Sequence, residues 1–351
     1  MDIPPPPAQS PTQSHAAAPA SQAPVGTATG RFRKQRVGIV VDSACDIPVE
    51  ILTAHADTIF VIPINIRIGS ETVADTRDTS VLNQFYRYHL NPSAPSDAES
   101  VPTSQAQFEH YFETHLVDRF DLVFVLTINN ARSPIYDNAV AAAAAVEARI
   151  SAIREQGSGL FPFRLRVYNS QNMFAGQAVQ ALDLLSHLDK AHGSANLLVR
   201  VQELTRNTYT FLVPRDLTYL YKRARLKNEN TIGLASYLVG SLLEIRPVLR
   251  CYRNESDQAI KVRTYESAVA HMFANAEAQV RVGLLSPFIC ISYSGDLANV
   301  PKLPGFAALQ AAADNAGVKI AIAAMGMTGA VNIGAGGVCI GFVANPHEFG
   351  A

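Results

Sequence analysis

Charge is scarce in this chain. Asp, Glu, Lys and Arg make up 17% of its 351 residues, against about 25% in ordinary soluble proteins, so much of the folded chain should be interior. The signs also balance, with 29 Lys and Arg against 30 Asp and Glu and a formal net charge of -1. Such a balance supplies no general field for nucleic acid or an anionic membrane surface. Cysteine is equally sparse. Cys45, Cys251, Cys290 and Cys339 stand far apart, with no C-x-x-C pair and no Cys/His cluster at zinc spacing, which excludes a disulfide framework and a finger-type metal site. They read as reduced thiols of a cytoplasmic protein. No apolar run approaches the roughly 18 to 20 residues of a spanning helix, the densest being 139–146 and 320–325. The opening MDIPPPPAQS has neither the basic start nor the apolar segment of a secretory signal. A cytoplasmic protein, not integral to a membrane and without a nucleic-acid partner, is expected.

What is present is apolar. Hydrophobic residues make up 48%, and at roughly 150 residues per domain the length suggests about two domains. Residues 1–35 hold seven of the 20 prolines among Ala, Ser, Gln and Thr; a segment with so little to bury cannot offset its ordering entropy and is expected to be a flexible tail. From residue 36, β-branched runs at 37–41, 58–64, 122–128, 165–168, 209–213, 247–252, 288–292, 318–323 and 338–343 alternate with helical patterns near 79–89, 105–117, 134–154, 173–189, 233–244, 265–280 and 303–316. This alternation predicts an α/β fold: two α/β domains, 36–205 and 206–351, with mostly parallel sheets covered by helices and a ligand between them.

In an open parallel sheet, ligands gather beyond the carboxyl ends of the strands. There the chain carries small polar residues: Asp42 and Ser43 after the first strand, Thr103 and Ser104 before a helix, Asn129, Asn130 and Ser133 after 122–128, and Asn169 and Ser170 after 165–168. Ser104 with Gln107 has capping-box spacing, and Ser133 before Pro134 suits an N-cap. Several helix N-termini aimed at one crevice would also form a neutral anion site.

Catalytic signatures are largely missing. There is no phosphate loop and no nucleophile elbow, and GAGGVCIG at 334–341 leads into a predicted strand, where its glycines suit a tight turn. His110 and His115 lack an H-E-x-x-H pattern, so no metal is assigned. A serine-dependent hydrolase or phosphotransferase using Ser43 or Ser133 stays open, as does a ligand-sensing regulator that binds a macromolecule through the basic run Lys222, Arg223, Arg225 and Lys227.

The polar loops resemble the DegV family of fatty-acid-binding proteins. VVDSACDIP at 40–48 is similar to D-S-T-x-D-L-P, PTSQ at 102–105 to T-S-Q, Ser133 with Tyr136 to S-G-T-Y, VYNSQNMFAGQAV at 167–179 to V-x-D-S-x-x-x-S-x-G, and LVGSLLEIRPVL at 238–249 to L-x-G-S-L-L-x-I-K-P-I-L. The resemblance implies a carrier that encloses a long-chain fatty acid, with no cofactor and no catalysis of its own, and that in some members serves a fatty-acid kinase. Carried over by position, it implies Thr103 and Ser133, with Ser104 beside the first, as hydroxyls at the carboxyl head, and Arg225, the final arginine of KRARL, as a partner contact. Asn332 stands where the family often has a histidine near the carboxyl, an amide that donates without titrating near neutrality. Pro134 and Ile135 replace the Gly-Thr of S-G-T, removing one hydroxyl.

Overall fold

The structure, a computed structural model, describes residues 35–90, 98–154, 162–189, 194–226 and 245–350. The tail expected over 1–35 lies outside these residues up to position 34, as do the helix expected at 233–244 and residues 238–244 of the LVGSLL segment.

Short β-branched runs build the first sheet. Strands β1 (Val37–Asp42), β2 (Ile59–Ile62), β6 (Leu122–Thr127) and β7 (Arg164–Asn169) pair in the order β2-β1-β6-β7, all parallel. Parallel neighbours need crossovers, which α1 (Val49–Ala54), α3 (Gln105–His115) and α4 (Ile135–Arg154) supply. All six residues of β6 are buried, which is why LVFVLT reads as an unbroken apolar run. Between β2 and α3 the chain forms a small antiparallel sheet in the order β4 (Glu71–Ala74), β3 (Asn65–Ile68), β5 (Glu99–Val101), and the helix α2 (Thr79–His89). Asp78 begins α2 by accepting from the N–H groups of Ser80 and Val81.

The second sheet runs β10 (Glu255–Val262), β9 (Arg246–Tyr252), β8 (Thr208–Val213), β13 (Val338–Val343), β11 (Phe288–Tyr293), β12 (Lys319–Ala324). Among these strands β11 and β12 pair parallel and every other neighbour is antiparallel. Strand–helix alternation suggests parallel pairing here too; the sheet is mixed because a two-residue turn joins β9 to β10, with Arg253 and Asn254 at φ 50° and 70°, the twist-matched hairpin geometry. Strand β13 then enters between β8 and β11 from the short helix α10 (Met327–Ile333). Helices α8 (Tyr265–Val282) and α9 (Phe306–Ala316) pack on this sheet.

Helix α5 (Phe174–Asp189) joins the two sheets. It is buried from Phe174 through Leu185 and touches β8, β11 and β13 on one side and β1 and β6 on the other. Its backbone lies so close to β13 that a Cβ on Gly341 would sit 2.4 Å from the Ala175 carbonyl, an approach only glycine permits. One apolar core accordingly runs from the first sheet through α5 to Cys290 and Cys339 of the second, while another fills the space under α8 and α9. All four cysteines are free and buried. Burial pushes their thiols up, which makes them inert fillers of the core. Helices α6 (Ser194–Asn207) and α7 (Leu217–Leu226) flank β8.

Candidate functional site

Beyond the carboxyl ends of the first sheet lies a cavity of about 170 Å³ that opens to solvent at its mouth. The β6–α4 and β7–α5 connections contribute Ile128, Met173 and Phe174; β8, α7 and β9 contribute Leu212, Leu220 and Leu249. The lining is thus mainly aliphatic and aromatic. Its polar groups come from β5 (Ser100), from the residues before α4 (Arg132, Ser133), from α7 (Arg223), from the β9–β10 hairpin (Arg250, Cys251, Ser256, Asp257) and from α10 (Thr328, Asn332).

The residues singled out in the sequence divide in two. Ser133 and Asn332 both line the cavity. Ser133 Oγ also accepts from the Ile135 N–H at 3.4 Å, so it caps α4 while facing the cavity, and Asn332 Nδ2 donates to the Thr328 carbonyl at 2.7 Å. Thr103 and Ser104 are not among the lining residues. Thr103 is buried with its hydroxyl 3.4 Å from the Pro63 carbonyl, and exposed Ser104 completes a capping box with Gln107. Arg225 belongs to α7, with its side chain outside the described residues. The basic run around it is not one surface patch: Lys222 is exposed whereas Arg223 is buried and lines the cavity.

The loop amides have architectural work. Asn129 Nδ2 reaches Cys251 Sγ at 3.6 Å, and Asn169 Nδ2 donates to Asn130 at 2.8 Å and to Asn254 at 3.0 Å. They bind the β9–β10 hairpin to the ends of β6 and β7. Ser43 donates to Asp75 at 3.1 Å and accepts from the Ile64 N–H at 2.9 Å.

A buried ionic network holds α10 in the cavity wall. Asp46 Oδ1 accepts from Arg77 Nη1 at 3.0 Å and from the Gly326 N–H at 2.9 Å. Asp75 accepts from the N–H groups of Met327 (2.8 Å) and Thr328 (3.0 Å) and from the Thr328 hydroxyl (2.7 Å). Arg77 also bonds the Ser43 carbonyl, and the Tyr86 hydroxyl bonds that of Met325. Tyr219 of α7 donates to the Val331 carbonyl at 2.8 Å. Burial pushes the Asp46 carboxyl up to about 6 despite the pull of Arg77 and the Gly326 N–H. The same desolvation raises Asp42 to about 6, although the Ile128 N–H (2.6 Å), Gln177 and the Ala44 N–H all favour its charged form.

Sequence reasoning expected neutral donors and missed the arginines. Arg132, Arg223 and Arg250 all line the cavity, with Arg250 paired to Asp257 through Nε at 2.9 Å. Arg132 could have been noticed directly before the Ser133 cap. Arg250 follows inward-facing Leu249 on β9 and carries no local signal.

Fold and cavity together define an α/β protein with an aliphatic pocket between a parallel and a mixed sheet. The chain belongs to the DegV family: the family model, described as an uncharacterised protein of the DegV family, matches residues 36–345. It is 39% identical over 316 residues to a DegV domain-containing protein of Xanthomonas axonopodis pv. citri, covering 90% of this chain and 100% of that one. Among solved structures, it is similar to DegV, a fatty acid binding protein from Bacillus subtilis, with TM-score 0.69 and 17% identity over 89% of this chain and 100% of the other. A stearic acid-binding protein from Eubacterium ventriosum aligns with TM-score 0.66 and 18% identity over 88% of this chain and 98% of the other. No helix of the described residues is long and apolar enough to cross a membrane.

Proposed function

We propose that this protein is a non-enzymatic carrier that binds a long-chain fatty acid in the cavity, with Ser133 and Asn332 at the carboxyl head. The observation that carries the reading is the lining itself: aliphatic side chains over most of the wall, with hydroxyl, amide and guanidinium donors grouped on α4, α7, α10 and the hairpin. The naming of the Bacillus and Eubacterium relatives for fatty-acid and stearic-acid binding supports it.

The energetics are sufficient without catalysis. Burying about 15 methylenes at about 0.8 kcal/mol each gives roughly 12 kcal/mol before association and ordering costs. The carboxyl head is penalised on leaving water and needs donors. Ser133 and Asn332 supply them, and the cavity arginines add charge to hydrogen bonding where a wholly neutral site would rely on dipoles. Arg225 on α7 is the contact offered to a partner such as a fatty-acid kinase, to which the carrier would present the head.

The test is a titration of delipidated protein with stearic acid and with its methyl ester. Saturable stearate binding, weakened about tenfold for the ester, supports the carrier; equal affinity for both removes the head site, and no binding of either removes the carrier.

A further inference from the structure

Phe174 opens α5 with a backbone that suits glycine. Its φ is 51°, in the left-handed region where a bulky side chain is a genuine outlier. The residue is 3% exposed and lines the cavity. Its backbone is pinned: Phe174 forms an isolated bridge with Cys45, and its carbonyl accepts from the Asp46 N–H at 3.5 Å. Its ring lies near α10: a Cβ on Gly329 would stand 3.2 Å from ring Cδ1, after closer meetings with Met325 Cγ at 2.7 Å and Sδ at 3.1 Å. A strained conformation that is held from both sides and directs a ring into a binding cavity is the pattern expected of a functional position.

We infer that Phe174 is a specificity-determining residue of the cavity, its ring limiting the length of acyl chain that fits. This rests on the carrier reading above. The ring occupies volume that a shorter side chain would return to the ligand. Enlarging the compartment at 174 should therefore shift selectivity toward longer chains.

The experiment measures binding of saturated fatty acids of 14, 16, 18 and 20 carbons to delipidated wild type, Phe174→Ala and Phe174→Gly. Both Phe174 variants should raise the affinity ratio of 20-carbon to 16-carbon chains by about tenfold. Phe174→Gly should melt higher than Phe174→Ala, since both lose the ring and only glycine relieves the backbone; this separates strain from selectivity. Wild type that binds every length while both Phe174 variants keep its ratio, or lose affinity equally for all lengths, overturns the assignment of Phe174 alone. Wild type that binds none overturns the carrier reading and this inference with it.

Discussion

The two sheets build their shares of the cavity wall by different means. The first, all parallel, presents strand ends, so its contribution comes from loops and helix starts such as Ser133 ahead of α4 and Met173–Phe174 ahead of α5. The second, mostly antiparallel, contributes strand side chains at Leu212 and Leu249 and adds polar groups from the β9–β10 hairpin, from α7 and from the seven-residue helix α10. Loops after parallel strands are positioned by the sheet itself. So short a helix has little stability of its own, and α10 takes its position from Asp46, Asp75, Arg77 and Tyr86 of the first half. The α10 part of the second wall is thus held by charges from the first.

Breaking that link should have the largest effect. Arg77→Met leaves Asp46 and Asp75 buried without their shared cation and should cost about 3–5 kcal/mol, read as a lowered denaturation midpoint at unchanged slope. Ligand retention should fall with it, because Thr328 and Asn332 lose their anchor. A loss below about 1 kcal/mol would mean that α10 stands by itself.

Acid sharpens the same comparison. Asp42 and Asp46 take up protons near pH 6 when folded and near pH 4 when unfolded. Between those values the folded state holds the extra protons, so their contribution to stability rises as pH falls from about 6 to about 4 and is smallest above 6. Asp46→Asn keeps an oxygen for Arg77 and Gly326 but cannot titrate. Denaturant titrations at several pH values should show wild type gaining stability relative to this variant as the pH drops through that window. Parallel pH profiles would contradict the buried charge.

Smaller effects separate the two walls at the ligand. Ser133→Ala and Asn332→Ala should each weaken stearate binding about tenfold, one from each wall, the value of a hydrogen bond to a charged group. Ser104→Ala, which removes a cap outside the cavity, should cost about 1 kcal/mol of stability and leave binding unchanged. Equal binding losses at 104 and 133 would erase the distinction between cap and ligand contact.

Where structure is local, the sequence announces it. Continuous apolar runs mark β1 and β6, Asp78 fixes the start of α2, and the capping box at Ser104 and Gln107 is formed as spaced. Strand β10 is hard to read because ESDQAIKV is half polar and its register shifts between Gln258 and Ile260. Helix α10 is illegible for a deeper reason. Nothing within MTGAVNI makes it a helix in a cavity wall; partners about 250 residues away at Asp46 and Asp75 do. Ser133 was visible because one residue both caps and lines. Arg77 in DTRDTS looks solvated, and only the fold reveals its guanidinium as 8% exposed between carboxylates.

The most direct measurement is of what the purified protein already contains. Protein expressed in lipid-containing cells is weighed intact under native conditions, then denatured, extracted with organic solvent and its extract identified. The account predicts a native mass above that of the bare chain and about one long-chain fatty acid per chain in the extract; a bare native mass with an empty extract would contradict it.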